Sequence, residues 1–278
     1  MIKISFIIPT LNAQNVLEKC LKSIVKQNFP RHQYEILIID GGSTDKTIKI
    51  AKKYHSVILQ NPLKTAEAGK AVGIKYAQGK FICLIDSDNI LPTKNWLQKM
   101  LYPFKQNQNI IGSEPIEFTY RPKSGLIERY SALIGANDPY AYVTGVSDRK
   151  NFIDNKWTHL KIDQIDKDKY VLVKLEPNNP IPTIGANGTI FRTGFLRQNL
   201  KSDYLFDIDI ISQVLQQTQE PIFFAKVKIG IIHTYCESSI KKFIRKQNRR
   251  LVDYYTYKNI RQYPWEKSAL TNQLKFTL

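Results

Sequence analysis

The sequence contains no apolar run near the ~20 residues that span a bilayer, and Met1 to Ser5 lead into a strand pattern without a signal-peptide pattern. We therefore expect the chain to begin in the cytoplasm and to remain there. Cysteine is scarce: Cys20, Cys83 and Cys236 lie far apart and form no Cys-x-x-Cys pair. These cysteines are predicted to be reduced core thiols rather than disulfide partners or metal ligands.

A Gly-x-Gly-x-x-Gly sequence is absent, which removes the main support for a dinucleotide-dependent oxidoreductase. Acidic residues are few, with 24 Asp and Glu against 41 Lys and Arg, and the net charge of +17 favours a polyanionic partner. The excess is concentrated at the two ends, since residues 241–278 carry 10 basic and 2 acidic residues. This distribution argues against a nucleic-acid groove along the whole chain, and no nucleic-acid partner is expected.

The composition is that of a globular protein, with 42% hydrophobic residues in a chain of 278. Strand and helix patterns alternate over the first 110 residues. The predicted strands are Ile4 to Pro9, Tyr34 to Asp40, Val57 to Gln60 and Phe81 to Ile85, and the predicted helices are Asn15 to Gln27, Lys46 to Tyr54 and Ala66 to Ala77. Such alternation indicates a Rossmann-like α/β half with a parallel sheet and right-handed crossovers.

The stretch Phe81 to Asn89 is a short apolar run that ends in two carboxylates, Asp86 and Asp88. Side chains alternate along a strand, so the two carboxylates can point to the same side. Ligands of open α/β sheets collect at such strand ends. Because neighbouring carboxylates repel one another, a divalent cation would stabilise the pair. The alternative is a strand followed by an ordinary Asp-rich turn.

Three segments, Ser5 to Asn12, Ile38 to Thr47 and Ala77 to Asp88, resemble family 2 glycosyltransferases of the GT-A fold. The resemblance implies a Rossmann-like, mixed but mainly parallel sheet flanked by helices. It also implies a nucleoside diphosphate sugar as donor, with a UDP-sugar preferred, and an inverting displacement. The expected cofactor is Mg²⁺ or Mn²⁺ held by an Asp-x-Asp motif.

The resemblance implies separate roles within the Asp-x-Asp motif. Asp88 would ligate the metal directly, and Asp86 would contact the ribose or a metal-bound water, with Ser87 beside them in the nucleotide site. His233 follows the strand pattern of Val227 to Ile232, and related GT-A enzymes place a metal-binding His late in the domain. His233 would then be a third metal or phosphate contact; the alternative is a structural histidine.

By the same resemblance, Asp40 would hydrogen-bond the nucleobase; the alternative is a loop residue before a helix that Ser43 or Thr44 caps. Three residues at the end of the first strand would line the same pocket: Pro9, Thr10 and Asn12. Lys70 stands where the family commonly has Arg and would contact the pyrophosphate as a point charge. The alternative for Lys70 is a solvated helix lysine.

The acceptor side rests on two segments. Ile184 to Arg192 resembles the family's Gly-containing acceptor loop, with the acceptor-binding candidates Gly185, Asn187 and Gly188. Asp207 or Asp209 would be the general base that accepts the acceptor's proton. Asp207 is favoured, but Phe206 replaces the family's usual Glu, so the choice stays open. The alternative is a helix N-terminus carrying carboxylates that suit its dipole.

A basic amphipathic helix is predicted from Ser238 onward, and it suggests a segment resting on an anionic membrane surface. The alternative is a solvated surface helix. Gln247 to Leu251 resembles the Gln-x-x-Arg-Trp motif of processive relatives, but Leu251 replaces the Trp. We therefore expect a non-processive enzyme in which Arg249 or Arg250 contacts the diphosphate.

The expected organisation is a nucleotide-sugar-binding half at 1–110, an acceptor-binding half of the same domain at 111–235, and a basic amphipathic helical tail at 236–278. Residues 138–180 are predicted to be an acceptor-side insertion or lid. The predicted protein is a glycosyltransferase peripheral to the inner face of the cell membrane, acting on a glycan or lipid-linked acceptor of a cell-surface polysaccharide. The alternatives are a sugar-nucleotide-forming nucleotidyltransferase and a non-enzymatic basic module that binds nucleic acid or lipid.

Overall fold

The structure, a computed structural model, describes residues 1–257 and Asn259. Its first part alternates strands and helices: β1 (Ile4–Thr10), α1 (Leu17–Val25), β2 (Tyr34–Asp40), α2 (Thr47–Lys53), β3 (Val57–Gln60), α3 (Ala66–Tyr76) and β4 (Phe81–Leu84). Each of these elements lies within two residues of its predicted bounds. The hydrophobic periodicity of this part therefore determines its secondary structure.

The second part is less regular. It contains β5 (Asn89–Ile90), α4 (Trp96–Gln106), β6 (Ile110–Phe118), α5 (Leu126–Ile134), α6 (Pro139–Val143), β7 (Asp163–Asp166), β8 (Tyr170–Leu175), β9 (Thr189–Arg192), α7 (Thr193–Asn199), α8 (Asp209–Thr218), β10 (Ile222–His233) and α9 (Ile240–Tyr257). The prediction of an acceptor-side insertion or lid over 138–180 is wrong for residues 163–175, which form β7 at the edge of the sheet and β8 between β7 and β10. The apolar residues of β8 pack in the core because that strand pairs with β10.

One ten-stranded sheet runs through both parts, in the order β3-β2-β1-β4-β9-β6-β10-β8-β7, with β5 paired to the end of β10. Parallel pairing joins β3, β2, β1 and β4 and also joins β6 to β10. The strands β9, β8 and β7 add antiparallel pairs. The result is the mixed α/β sheet flanked by helices that the sequence predicted.

The core lies on both faces of the sheet, because β1 and its neighbours are apolar on both sides. Phe6 and Ile8 pack on one face with α1, and Ile7 packs on the other face with α3. The helix α3 comes close to β1, since a Cβ on Gly73 would lie 2.4 Å from Cγ2 of Ile7. This close approach places the first turn of α3 beside the carboxyl end of β1.

The prediction that Ser43 or Thr44 caps α2 is wrong. Neither Ser43 nor Thr44 caps the helix; instead Oδ1 of Asp45 accepts a 2.8 Å hydrogen bond from the amide of Thr47. Ser43 is engaged elsewhere, because its amide and hydroxyl both donate to Asp40. The three cysteines are free and buried, as predicted. Among the residues that the structure describes, no helix is both long and apolar enough to cross a membrane.

Candidate active site

Polar side chains meet where β1, β2 and β4 end. Thr10 at the end of β1 is paired in register with Asp40 at the end of β2, and the Thr10 hydroxyl donates to Asp40 Oδ1 at 2.9 Å. The Asp-x-Asp segment follows β4, which pairs with the other side of β1. Because the three strands are parallel, their carboxyl ends share one edge of the sheet, where ligands of α/β proteins bind.

The carboxylate of Asp40 accepts four hydrogen bonds, from the Thr10 hydroxyl, the Ser43 hydroxyl, and the amides of Gly42 and Ser43. Burial alone would raise the pKa of Asp40, but these hydrogen bonds outweigh burial and hold the pKa below its usual value. Asp40 is therefore an ionised anchor of the loop after β2. In this structure the carboxylate oxygens of Asp40 accept hydrogen bonds from Thr10, Gly42 and Ser43 of the protein itself.

The other residues predicted for the nucleotide pocket lie around this anchor. Oδ1 of Asn12 accepts a hydrogen bond from the amide of Thr44 at 2.9 Å, which joins the loop after β1 to the loop after β2. Pro9 is buried in β1, and a Cβ on Gly69 of α3 would lie 3.0 Å from the Pro9 Cβ. The absent side chain at Gly69 thus lets α3 approach the end of β1.

The second site feature is a group of three potential metal ligands, Asp86, Asp88 and His233. One ligand atom from each residue lies within 4.8 Å of the others. The loop that carries Asp86 and Asp88 is joined to the end of β10, because the backbone carbonyl of Asp88 accepts a hydrogen bond from the Thr234 amide at 3.0 Å. Ser87, between the two aspartates in the sequence, is half-buried. The structure thus brings all three predicted metal residues together.

His233 is the last residue of β10, and its Nε2 lies 3.1 Å from Oδ1 of Asp88. Lys246 of α9 places its ammonium 3.6 Å from Oδ2 of the same carboxylate. Burial would raise the pKa of Asp88, but His233 and then Lys246 outweigh burial, and the pKa lies well below its usual value. The imidazole of His233 and the ammonium of Lys246 therefore both face an ionised Asp88.

The residues of this group fit a divalent cation by their chemistry. Carboxylate oxygens are the ligands that Mg²⁺ and Mn²⁺ prefer, and imidazole is an accepted ligand for transition metals. The Nδ1 atom of His233 is buried and has no hydrogen-bond partner among the described residues. Asp88 is ionised and could contribute a negatively charged oxygen ligand.

Asp207 and Asp209 have different surroundings. Asp207 precedes α8, its side chain is 18% exposed, and its Oδ2 accepts a 2.8 Å hydrogen bond from Nζ of Lys70. Asp209 is the first residue of α8 and is buried. A Cβ on Gly185 would lie 3.8 Å from Asp207 Oδ2, so the predicted acceptor loop adjoins Asp207. Lys70 is therefore not the solvated lysine of the alternative interpretation.

The predicted acceptor loop is fastened to the Asp-x-Asp loop. Asn89 donates from Nδ2 to Oδ1 of Asn187 at 3.2 Å, and Oδ1 of Asn89 accepts from the amide of Asp86 at 3.0 Å. Gly188 has a positive φ of 78°, and its amide donates to the carbonyl of Leu84 at 2.9 Å. The structure thus brings Asn187 and Gly188 beside the metal group.

A buried ionic cluster behind this loop was missed from the sequence. Glu114 of β6 contacts both Arg149 and Lys226 of β10, and all three side chains are at most 1% exposed. Burial raises the pKa of Glu114 to about 7, against the lowering effects of the two cations. Arg149 also donates to the Asn187 carbonyl at 3.2 Å. The available signal was that Glu114 and Lys226 lie inside largely apolar strands, although each strand carries a second residue of the same charge, Glu117 and Lys228.

The helix α9 packs across the site with one face. Phe243 packs against Tyr235, and the ring of Tyr257 lies 5.4 Å from that of Phe206, next to Asp207. Arg250 donates to the carbonyl of Asn137 at 3.0 Å. Both arginines predicted for the diphosphate are exposed, but Arg250 lies on this docked face through its hydrogen bond to Asn137.

The outer face of α9 is apolar on one side and basic on the other. Four residues at helical spacing, each more than half exposed, form the apolar stripe: Ile240, Ile244, Leu251 and Tyr255. Exposed basic residues form the stripe beside it: Lys241, Lys242, Arg245 and Arg249. The single apolar face predicted from the sequence is thus divided, because Phe243 and Tyr254 point towards the protein. The predicted continuation of the tail past Tyr257 lies outside the described residues, apart from Asn259.

An open α/β sheet with polar side chains gathered at the carboxyl ends of its parallel strands is an architecture common among nucleotide-binding proteins. The sequence profile of the glycosyl transferase family 2 matches residues 5–198, which is more than half of the chain. The chain therefore belongs to the glycosyl transferase family 2, and the predicted family is confirmed. Membership of this family favours glycosyl transfer over the nucleotidyltransferase and the non-catalytic binding module.

Two curated relatives are similar over part of the chain. The glycosyltransferase AglE of Haloferax volcanii is 27% identical over 136 residues, which cover 46% of this chain and 44% of AglE. The poly(ribitol-phosphate) beta-N-acetylglucosaminyltransferase TarS of Staphylococcus aureus is 34% identical over 97 residues, 33% of this chain and 17% of TarS. The matches thus span less than half the length of these relatives.

Two solved structures share the fold. TarS of S. aureus in complex with UDP-GlcNAc has a TM-score of 0.52 and 18% identity, over 82% of this chain and 60% of that chain. Glucosyl-3-phosphoglycerate synthase of Mycobacterium tuberculosis, with Mn²⁺, UDP and phosphoglyceric acid, has a TM-score of 0.54 and 14% identity. The match covers 90% of this chain and 76% of the synthase chain. These similarities confirm the predicted GT-A fold class.

Proposed function

We propose that this chain is a metal-assisted, inverting glycosyltransferase that uses a nucleoside diphosphate sugar, with a UDP-sugar as the first donor to test. The observation that carries the proposal is the meeting of Asp86, Asp88 and His233 at the edge of the sheet. Two relatives of the same fold were solved with UDP or UDP-GlcNAc, and one of them also with Mn²⁺. The proposed organisation remains a donor half at 1–110, an acceptor half at 111–235 and a tail from 236.

Asp88, Asp86 and His233 would hold Mg²⁺ or Mn²⁺. When bound, the ion supplies electrostatic stabilisation for the negative charge that develops on the departing diphosphate. The nucleotide would extend from this group towards the end of β2, where Asp40 orders the loop around the nucleobase. The proposed pocket is completed by Pro9, Thr10, Asn12 and Ser87, with Arg250 facing the diphosphate and Arg249 as the weaker candidate.

The chemical step requires a base on the acceptor side. Asp207 would accept the proton of the acceptor hydroxyl while that oxygen forms a bond to the anomeric carbon. The bond from the anomeric carbon to the diphosphate breaks on the opposite face, which inverts the configuration. Asp207 is the better candidate than Asp209 because it is partly exposed and adjoins Gly185 of the acceptor loop, whereas Asp209 is buried in the first turn of α8.

We propose that the outer face of α9 rests on an anionic membrane. Its apolar stripe of Ile240, Ile244, Leu251 and Tyr255 lies beside a basic stripe, which suits acyl chains and acidic headgroups together. This placement supports a peripheral position on the inner face of the cell membrane. We further propose that the acceptor is a glycan or a lipid-linked molecule and that transfer is non-processive. The product would belong to a cell-surface polysaccharide.

Calorimetric titration of UDP, GDP and dTDP with and without Mn²⁺ tests the donor class. We expect one nucleotide to bind tightly only with the metal, and Asp88→Asn to abolish the metal-dependent part. The matched control is Asp166→Asn, because Asp166 is an exposed carboxylate on the distant edge strand β7. Equal binding with and without Mn²⁺, or none at all, would contradict the proposal.

A further inference from the structure

Lys70 is a buried cation that faces the candidate active site. Its helix α3 packs closely on the end of β1 through Gly69, and the Lys70 residue is only 4% exposed. A lysine is rarely buried to this extent without a partner. Its partner is Asp207, 137 positions further along the chain, whose Oδ2 accepts a 2.8 Å hydrogen bond from Nζ of Lys70.

Lys70 is charged although its pair with Asp207 is largely shielded from solvent. Burial lowers the pKa of Lys70, but Asp207, followed by Asp86 and Glu67, outweighs burial and raises the pKa above the usual lysine value. These carboxylates face Lys70 from the segment before α8, the loop after β4 and α3 itself. Lys70 therefore remains protonated in the folded protein.

Further contacts tie the same segment to α3. The amide of Leu205 donates to the carbonyl of Glu67 at 3.1 Å, and the Tyr204 hydroxyl lies 3.4 Å from Oε2 of Glu67. Lys75, five residues after Lys70 on α3, contacts Asp203. The segment 203–207 is thus attached along the helix, and Lys70 is the attachment that reaches Asp207.

Two roles compete for a cation at this position. A lysine that contacts the diphosphate directs its ammonium towards the metal group, whereas a lysine that serves the base directs it towards the carboxylate. Nζ of Lys70 lies at hydrogen-bond distance from Asp207 Oδ2. An ammonium is a point charge with three donors, so one hydrogen bond from Lys70 orients the Asp207 carboxylate through one of its oxygens. An arginine fork would instead hold both oxygens.

We propose that Lys70 is a positioning residue for the general base: it holds the carboxylate of Asp207 ionised and directs it towards the acceptor loop at Gly185. This inference rests on the proposed function, in which Asp207 accepts the proton of the acceptor. Because Lys70 belongs to the donor half and Asp207 to the acceptor half, the ion pair also ties the position of the base to the helix beside the nucleotide pocket.

The test follows the ionisation of Asp207 directly. The ¹³C signal of its carboxyl group is assigned by its loss in Asp207→Asn and titrated with pH in the unaltered protein, in Lys70→Met and in Lys70→Arg. We expect the carboxyl in Lys70→Met to titrate about one pH unit or more higher, because an opposite charge at this distance is removed. Lys70→Arg keeps the charge and should restore most of the difference, and it also serves if Lys70→Met does not fold.

The matched control is Lys75→Met, which removes an exposed ion pair from the same helix. It should leave the titration of Asp207 unchanged. The affinity for UDP with Mn²⁺ is measured on all variants, and we expect Lys70→Met to change it by less than about threefold, since a charge that serves the base adds little to nucleotide binding.

The competing role gives the opposite result. An unchanged Asp207 titration in Lys70→Met, together with a loss of about tenfold or more in UDP affinity, would overturn the inference and assign Lys70 to the diphosphate. Absence of metal-dependent nucleotide binding in the unaltered protein would overturn the proposed function, and with it the catalytic meaning of the pair. The two failures are distinguishable because the NMR titration requires no nucleotide.

Discussion

Lys246 and Asp88 face each other across the metal group, with Nζ of Lys246 lying 3.6 Å from Oδ2 of Asp88. The lysine is 43% exposed and belongs to α9, whereas the aspartate follows β4. A positive charge from the C-terminal helix thus lies where the proposed cation would approach. Metal binding at Asp88 has to compete with this ammonium or displace it.

Lys246→Met should strengthen the binding of Mn²⁺ alone. We expect a gain of about threefold, because the like charge near the metal group is removed and such partly exposed charges contribute less than about 1 kcal/mol. Calorimetry without nucleotide measures the effect, and Lys242→Met, an exposed lysine of the same helix, is the control. A weaker Mn²⁺ affinity in Lys246→Met would contradict this prediction.

Asp40→Asn should destabilise the protein by about 1–3 kcal/mol at neutral pH, because the buried Thr10 hydroxyl and three part-buried donors lose their charged acceptor. The amide NH₂ of asparagine would also face the Gly42 and Ser43 amides, which are donors themselves. Urea unfolding at pH 7 measures the change in the free energy of unfolding. An unchanged free energy would mean that the four hydrogen bonds contribute no net stability.

The same residue makes a prediction about pH. The pKa of Asp40 is depressed in the folded protein, so its contribution to stability is present above the usual value of 3.8 and is lost as pH falls through the folded pKa. In Asp40→Asn this part of the acid dependence should disappear, and the stability difference from the unaltered protein should shrink below pH 4. A difference that stays constant into acid would contradict the linkage.

Lys226→Met should cost about 3–5 kcal/mol, because it leaves Glu114 and Arg149 in an incomplete buried ionic cluster. The matched control lies two residues along the same strand: Lys228→Met removes a partly exposed pair with Asp166 and should cost less than about 1 kcal/mol. Chemical unfolding at pH 7 compares the two variants. Equal losses would mean that burial of the cluster does not determine its contribution.

The choice of base gives a kinetic prediction. Asp207→Asn should reduce transfer by at least about a hundredfold, since it removes the proton acceptor, and should leave UDP affinity with Mn²⁺ nearly unchanged. Asp209→Asn, matched in chemistry, should retain most of the activity. Transfer is measured as the rate at which UDP is released from the donor that the titration identifies. An active Asp207→Asn variant would transfer the role to Asp209.

The outer face of α9 gives a prediction about membranes. Leu251→Asp should greatly reduce sedimentation with vesicles that contain anionic phospholipid, because it places a carboxylate in the apolar stripe. Val57→Asp on the edge strand β3 changes an equally exposed apolar residue away from α9 and is the control. Equal sedimentation of Leu251→Asp and the unaltered protein would argue for a solvated surface helix.

The strands and helices from β1 to β4 were predictable because each depends on local periodicity and on turn residues. The Asp-x-Asp motif was predictable for a related reason: Asp86 and Asp88 come directly after a buried strand, where a parallel sheet exposes its carboxyl edge. The strands β7 and β8 were missed because their segment is polar and rich in turn signals, and only pairing with β10 makes β8 part of the core.

The contacts of the site were not predictable to the same degree. His233 reaches Asp88 only because β10 places its end next to β5 and the Asp-x-Asp loop, 145 positions from Asp88. The cluster of Glu114, Arg149 and Lys226 likewise depends on β6 lying beside β10. No local pattern records which strands become neighbours.

The sequence by itself determined the α/β order, the family resemblance and the acidic strand ends, because these follow from residue types within a few positions of one another. The tertiary structure decided the partners of the ionisable side chains: Lys70 for Asp207, and His233 and Lys246 for Asp88. The physical reason is that a buried charge depends on whatever groups the sheet order and helix packing bring within a few ångströms, and those groups lie far apart in the chain.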